Sequence, residues 1–382
     1  MIRFVCHCAF GTVGMLAREC KRLSLTVVSY NHFFVVCEGT SDDLLRALLW
    51  LRIATRICVV VASCVALSWD ELYDNLKAIE RSLWILPRTK PVIRAKANGC
   101  LLSSIPTIQS ISQKAVMTKL FGNQQCLYEE TSTIVVTGIH NKWTISIDVI
   151  GSMTDRCIRP RHGIAPLREN LACAALLQSG WRFRESLIDP FAGSGTIIIE
   201  AYLLARNLPP RIVRKQPSLS FPWFTPTHQR HDLIDHAYKN SYPGPFRLIA
   251  ADHDVSMVRL MNDIFSHPIF SDMVEIRHAN AFTSLDPTIR RCVTNPPYGK
   301  RIDRSRSFAS LISWFDRAQL RGALVYGGDD DGYASTSQGH NNTSQQDHRS
   351  SIHRRPSQSR YPGRIAHHRY NGSDRCRLWC KI

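Results

Sequence analysis

Apolar positions along the first 66 residues fall in short runs whose period alternates between that of a strand and that of a helix. Arg3 to Ala9 is extended and runs to Gly11, a helix follows to about Leu23, and Thr26 to Cys37 is rich in β-formers. Ser41 stands where a helix cap is needed, ahead of Leu44, Leu48 and Leu51 on one face. Ile57 to Val61 is apolar and β-branched, as suits a buried strand. A second unit opens at Ser68, where Ser68 and Glu71 have capping-box spacing. Leu72, Leu76, Ile79 and Leu83 then form a helical stripe that belongs in a core. Thr133 to Ile139 and Trp143 to Ile150 alternate around His140-Asn141, the pattern of a hairpin. Residues 1–66 and 67–155 are therefore expected to be two small α+β modules. Neither holds a catalytic constellation, which leaves binding as their work.

From residue 160 to residue 382 the pattern changes to strands alternating with helices, the mark of a parallel, doubly wound sheet. A helix is expected from Pro166, with Leu167, Leu171 and Ala174 on one face and Gly180 at its end. Strands are expected at Leu187–Asp189, Leu248–Asp252, Val274–Asn280, Cys292–Asn295 and Ala323–Tyr326. Asn207 to Phe246 is an insertion rich in Pro, His and aromatic residues. Residues 328–364 are dominated by Ser, Gln, His, Asn and Arg without an apolar period, which predicts disorder or marks a frame change in the sequence. Asn371-Gly372 reads as the turn of a closing hairpin.

Composition adds a partner to this picture. The 382 residues carry 48 Lys+Arg against 31 Asp+Glu, a formal net charge of +17. Such an excess favours a polyanion, since each phosphate neutralised releases counterions. The 13 cysteines are scattered without CxxC pairs, which predicts buried free thiols in a reducing compartment. Cys6-His7-Cys8 has no second ligand pair at useful spacing, so no metal is expected there. Arg46, Arg52 and Arg56 interrupt the most apolar region, Leu44 to Leu67, and exclude it as a bilayer span. Met1 to Leu16 reads as an initial strand and glycine turn rather than a signal peptide, and the protein is expected in the cytoplasm.

Three strand ends carry candidate chemistry. The first is Asp189-Pro-Phe-Ala-Gly-Ser-Gly-Thr196, where Gly193 and Gly195 let the backbone approach a ligand at the carboxyl end of a strand. No Gly-Lys-Ser/Thr follows, so this is not a phosphate loop. The second is Ala250-Ala-Asp-His-Asp254, where Asp252 can accept the ribose hydroxyls of a nucleoside cofactor and Asp254 can cap the next helix. Asn280, ending the following strand, can reach an adenine edge. The third is Asn295-Pro-Pro-Tyr298, whose prolines stiffen a turn that presents the Asn295 amide oxygen and the Pro296 carbonyl as two acceptors. A nucleobase amine has two N–H donors and a lone pair delocalised into the ring. Accepting both protons frees that lone pair for attack on a methyl sulfonium, while Tyr298 stacks on a flipped-out base.

With these motifs the chain resembles the THUMP-domain class of RNA guanine-N2 methyltransferases, in particular the bacterial large-subunit ribosomal RNA type. Gly163-Ile-Ala-Pro-Leu-Arg-Glu-Asn-Leu-Ala172, Asp189 to Thr196 and Thr294-Asn-Pro-Pro-Tyr-Gly-Lys-Arg301 carry the likeness. It implies a C-terminal Rossmann-like methyltransferase domain and an N-terminal α+β region, ferredoxin-like plus THUMP, that binds RNA. It also implies S-adenosylmethionine as cofactor, held by Asp189, Phe191, Ala192, Gly193, Ser194, Gly195, Asp252 and Asn280. Asn295, Pro296 and Tyr298 would hold the target base. The chain departs from the family with Asn280 in place of an aspartate and with Arg156-Cys-Ile-Arg159 in place of Arg-Gly-Tyr-Arg. Transfer RNA guanine, DNA adenine N6, and a non-catalytic RNA-binding role remain as competing readings.

Overall fold

A computed structural model describes residues 1–80, 89–122, 130–154, 156, 158, 167–212, 224–270, 273–282, 288–297, 308–327, 364–371 and 374–381. The chain forms two compact units, Met1–Pro160 with Asn207–Ser241, and Arg161–Arg206 with Tyr242–Ile382.

The first unit begins β1 (Ile2–Cys8), α1 (Val13–Arg22), β2 (Thr26–Tyr30), β3 (Phe34–Gly39), α2 (Ser41–Trp50) and β4 (Ala54–Val65). It continues α3 (Trp69–Ala78), β5 (Thr89–Asn98), α4 (Ile105–Phe121), β6 (Glu130–Ile139) and β7 (Lys142–Asp148). All seven strands join one sheet in the order β2-β3-β1-β4-β7-β6-β5. The 12-residue β4 makes this possible. Its first half pairs with β1 and its second half with β7, so one strand is shared by the two modules that the sequence pattern separates at residue 66.

Several local expectations need correction. The β-rich Thr26–Cys37 run is two strands, broken where the Asn31 side chain accepts hydrogen bonds from the Phe33 and Phe34 amides (2.8 and 3.0 Å). Thr40, not Ser41, caps α2, in a capping box with Asp43. At α3 only half of the expected box forms: Ser68 accepts from the Glu71 amide (3.2 Å), but the Glu71 carboxylate turns to the Leu67 amide (2.7 Å). The sequence pattern leaves β5 and α4 unassigned. The hairpin turn is as expected, with His140 and Asn141 both at positive φ (47° and 64°). Leu72, Leu76 and Ile79 enter a core with Ile108, Val136 and Ile145; Leu83 lies outside the described residues. The described cysteines are free thiols. Cys6, Cys20 and Cys37, from β1, α1 and β3, bring their sulfurs within 4.8 Å of one another, a grouping that chain spacing does not reveal.

The second unit holds α5 (Glu169–Gln178), β8 (Leu187–Asp189) and α6 (Thr196–Ala205). Pro166 lies outside the described residues. After α6 the chain enters the first unit through residues 207–241, which include α7 (Arg230–Lys239). The insertion is tied there by polar bonds: the Thr225 amide donates to Ser41 Oγ (3.1 Å) and the His228 amide to Asp42 Oδ1 (3.1 Å). Buried Arg156 donates to the carbonyls of Met153 and Arg52 (2.6 and 2.9 Å) in the same region.

The second unit resumes with β9 (Leu248–Asp252), α8 (Val255–Phe265), β10 (Val274–His278), β11 (Arg291–Thr294), α9 (Phe308–Arg317), β12 (Arg321–Gly327), β13 (Arg364–Asn371) and β14 (Asp374–Lys381). The sheet order is β10-β9-β8-β11-β12-β14-β13, with the first five strands parallel and β14 antiparallel to β12. Counted within this sheet the order is 3-2-1-4-5-7-6, so the topology switches direction between β8 and β11. α6 is buried on every side, in keeping with its continuous apolar run Ile197-Ile198-Ile199. α9 covers the sheet with Leu311, Ile312 and Phe315 against Leu324 and Trp379. The closing hairpin expected around Asn371-Gly372 forms from β13 and β14; of residues 328–364, expected to be disordered or a frame change, Arg364 opens β13 and 328–363 lie outside the described ones.

Gly322 in β12 stands opposite Cys292 of β11, at φ 144°, and a Cβ there would come within 1.8 Å of the Cys292 carbonyl oxygen. Gly322→Ala is therefore expected to destabilise the second unit by about 3–5 kcal/mol, because backbone must move to relieve the clash. A thermal unfolding temperature unchanged from wild type would contradict that close approach.

Candidate active site at the carboxyl ends of β8, β9 and β11

Strands β8, β9, β10 and β11 are parallel, so their carboxyl ends and the loops that follow share one edge of the sheet. Ligands of open α/β sheets bind at that edge, beside the topological switch. Asp189 closes β8 and is 1% exposed. Its Oδ1 accepts from Thr294 Oγ1 (2.6 Å), the last residue of β11, and from the Phe191 amide (3.2 Å). Burial pushes its carboxyl up to about 7, the nearby Asp252 charge adds to the rise, and the Thr294 and Phe191 bonds oppose it.

The loop after β8 is fixed by three further contacts. The Ala192 amide donates to the Ala251 carbonyl (3.0 Å) and the Gly195 amide to the Ala192 carbonyl (2.8 Å). The Gly193 amide donates to Asp252 Oδ2 (2.9 Å) at the end of β9. Gly193 and Gly195 hold φ of 54° and 77°, the left-handed region where a side chain is strained. A Cβ on Gly195 would meet the Phe265 ring at 2.8 Å, whereas one on Gly193 would meet nothing within 4 Å. The backbone at Gly193, with half-buried Ser194 beside it, thus borders open space.

Asp252 is 8% exposed and anchors two loops, its other oxygen accepting from the Asp254 amide (3.0 Å). Asp254 caps α8 by accepting from the Ser256 amide (2.8 Å), the role its position suggests. Asn280 is exposed beyond β10, and its Oδ1 accepts from the Phe282 amide (3.0 Å). Phe282 packs edge-on to Phe191 (5.7 Å between centroids) and to Trp314 of α9 (5.5 Å), and Phe191 also meets Trp314 (5.8 Å). Phe282 and Trp314 are additions to the residues that the motifs name, and Thr294, quoted in its motif without a role, holds Asp189. Thr294 had a signal in its place just before Asn295; Phe282 and Trp314 had none.

Asn295 and Pro296 follow β11 directly. Pro296 is buried. The Asn295 side-chain oxygen is buried without a hydrogen-bond partner among the described residues. Tyr298 lies outside them. The structure thus brings Asp189, Phe191, Ala192, Gly193, Ser194, Gly195, Asp252, Asn280, Asn295 and Pro296 to one edge of one sheet. Hydrogen bonds and ring contacts link the loops after β8, β9 and β10, and the Thr294–Asp189 bond joins the end of β11 to that of β8.

A sheet of this order with a glycine turn and a strand-end aspartate beside the switch defines a Rossmann-like, nucleoside-binding class of domain. Comparison with known proteins narrows the class. Residues 156–322 match the RMKL-like methyltransferase domain, and residues 3–58 match the RlmL ferredoxin-like domain. The chain is 31% identical over 318 residues to the putative RNA methyltransferase YpsC of Bacillus subtilis, covering 81% of this chain and 82% of that protein. It is 26% identical over 323 residues to the ribosomal RNA large subunit methyltransferase K/L of a Marinomonas species, covering 80% of this chain but only 44% of the relative, under half its length. Among solved structures, SMU.472, a putative methyltransferase complexed with SAH, superposes with a TM-score of 0.77 at 22% identity, over 99% of this chain and 97% of that one. A predicted N6-adenine-specific DNA methylase from Listeria monocytogenes gives 0.76 at 24% identity, over 86% and 89%. These two likenesses show the fold. The chain belongs to the RMKL-like methyltransferase family. No helix among the described residues is long and apolar enough to cross a membrane.

The raised Asp189 carboxyl has a stability consequence. Folded chain keeps a proton there that unfolded chain, with an ordinary value near 4, has already released. Stability from this group is thus full below about pH 4 and lost as pH rises through about 7. Relative to Asp189→Asn, wild type should lose up to about 4 kcal/mol between those limits, read from urea midpoints at a series of pH values. Parallel pH profiles for the two proteins would show that Asp189 has an ordinary acidity.

Proposed function

We propose that the protein transfers a methyl group from S-adenosylmethionine to the exocyclic N2 of guanine in RNA, with large-subunit ribosomal RNA as substrate. The observation that carries this reading is the unpartnered, buried Asn295 oxygen at the end of β11. A buried acceptor left without a donor costs about 1–3 kcal/mol, so its donor is expected from a ligand. An exocyclic amine is such a donor. The relatives named RNA or ribosomal RNA methyltransferases support RNA as the acceptor.

The residues around Gly193 suit the cofactor. Open space at Gly193 admits a ligand against backbone, and the Asp252 carboxylate, with one backbone donor on each oxygen, keeps lone pairs for ribose hydroxyls. Phe191 and Asn280 flank the adenine position in this reading, and Ala192, Ser194 and Gly195 complete the loop. S-adenosylmethionine bound there supplies an electrophilic methyl carbon. Asn295 Oδ1 and the Pro296 carbonyl accept the two amine protons, which draws the nitrogen lone pair out of conjugation with the base. Tyr298 stacks on the base once it leaves its helix. Asp189 acts through Thr294 as a positioning residue: it ties β8 to the strand that bears Asn295. The amine nitrogen can release its proton to water after transfer, so no strong base is required.

Asp252→Ala is expected to weaken S-adenosylmethionine binding by about 1–3 kcal/mol by calorimetry, the range for a lost charged hydrogen-bond partner. Unchanged affinity would remove Asp252 from the cofactor site. Asn295→Ala should leave cofactor affinity nearly intact and lower turnover by about 100-fold or more, by analogy with the loss of one preorganised donor at an oxyanion. Tyr298→Phe should cost less than Tyr298→Ala, since the ring rather than the hydroxyl stacks. Labelled S-adenosylmethionine with separated ribosomal RNA, transfer RNA and DNA acceptors, followed by nucleoside analysis, tests the substrate. N2-methylguanosine in ribosomal RNA supports the proposal; the same product in transfer RNA alone, or N6-methyladenine in DNA, replaces it. Full turnover by Asn295→Ala would falsify the mechanism whatever the acceptor.

A further inference from the structure

The two faces of the first unit's sheet differ in kind. Helices α1, α3 and α4 pack on the face that carries Cys6, Cys37, Ile145 and Val136. Strand alternation sends the next residues to the opposite face, and the register aligns them there: His7 opposite Arg56, Thr144 opposite Thr137, and Thr137 opposite Lys96. Arg94 lies two residues before Lys96 on the same face, and both side chains are exposed. Among the described residues the carboxylates of this face are already paired, Asp148 with Arg56 and Glu38 with Arg3. No described acid answers Arg94 or Lys96.

Lys96 and Arg56 also share a neighbour. β1 and β5 are four strands apart in the sheet, about 19 Å if it were flat. Even so, the Lys96 charge of β5 acts on His7 of β1. The imidazole is held down to about 4, mainly by burial and then by the Lys96 and Arg56 charges. The exposed cations of β5, Arg94 and Lys96, therefore stand on this face beside the hydroxyls of Thr137 and Thr144. Neighbouring cations without a counter-charge, as Arg94 and Lys96 are among the described residues, are unfavourable by themselves and are relieved by an anion.

We propose that this face, which carries no helix among the described residues, seats the RNA backbone, with Arg94 and Lys96 facing phosphates. The inference rests on RNA being the substrate and assigns to this sheet face the binding that the chain's net charge of +17 implies. A polyanion matches several spaced cations better than a single small anion does, and threonine hydroxyls can bond phosphate or ribose oxygens.

The test is direct binding of the full chain to a fluorescein-labelled ribosomal RNA hairpin, measured against salt and without turnover. The double variant Arg94→Glu/Lys96→Glu should bind at least about tenfold more weakly, and the slope of log affinity against log salt should shrink by about 1.4–1.8, as expected for two lost phosphate contacts. S-adenosylmethionine affinity of the same variant should match wild type, which reports that the second unit is folded; near-wild-type circular dichroism reports the first. The equal charge reversal Lys77→Glu/Lys114→Glu, at exposed positions on α3 and α4, should leave the slope unchanged. Wild-type affinity in the Arg94/Lys96 variant, or equal losses in both variants, would overturn the assignment of the face while leaving the substrate proposal standing. Failure of wild type to bind the hairpin, or tight binding of duplex DNA in its place, would overturn both.

Discussion

The hydrogen bond from Thr294 to Asp189 is the constraint on which the active-site edge depends. It joins the last residues of β8 and β11, the two strands on either side of the topological switch, and it does so in a place closed to water. Because the carboxyl is buried, the bond has no solvent competitor. Because the same oxygen also accepts from the Phe191 amide, the glycine turn starts from a fixed point. The turn's other end is fixed by Asp252, which accepts from Gly193. Two aspartates at neighbouring strand ends thus hold one loop from both sides, and Asn295 begins one residue beyond the first of these ties. A shift of β11 by one position would remove Thr294 from Asp189 and move the Asn-Pro-Pro turn away from the loop.

In the first unit an analogous part falls to β4. A strand long enough to pair with β1 at one end and β7 at the other converts two small modules into one seven-stranded sheet. Small modules bury a modest fraction of their surface when alone, so a shared strand raises the stability of both. Trp143 reinforces the second module: its ring is 1% exposed, donates to the Ala66 carbonyl (3.1 Å), and lies where a Cβ on Gly138 would meet it at 2.8 Å. That continuity leaves an extended face without helices among the described residues, and its β5 end presents the exposed cations Arg94 and Lys96.

What was legible in the sequence follows the strength of the local signals. Strands of the parallel sheet were legible to within a residue or two, because buried strands such as Leu248–Asp252 are apolar runs with sharp polar ends. The motif residues were legible for a related reason: glycines with positive φ and strand-end acids leave marks that do not depend on distant partners. The β2–β3 break was not legible, since Asn31 makes its turn through side-chain bonds inside a run of β-formers. β5 and α4 escaped because polar residues interrupt β5 at Lys90, Arg94 and Lys96, the positions that face away from the core. Partners that meet only in three dimensions, such as Phe191 with Trp314 or Arg156 with the Arg52 carbonyl, leave no spacing to read.

The site's two least stable choices are also its most informative. A carboxyl kept at 1% exposure with its acidity shifted to about 7, and a buried amide oxygen without a donor, both cost folding energy. Either could be replaced by an apolar residue of similar size if stability alone were at stake. They stand on the two strands that flank the switch, at the edge where ligands bind; burial likewise raises Glu19 of the first unit to about 7, but it is not part of that sheet and accepts from the Ile53 amide (3.0 Å). Uncompensated polarity at a binding edge is the kind whose partner can arrive with the ligand. At Asn295 the proposed partner, an exocyclic amine of a nucleobase, can donate a proton to that oxygen, which a ring oxygen cannot.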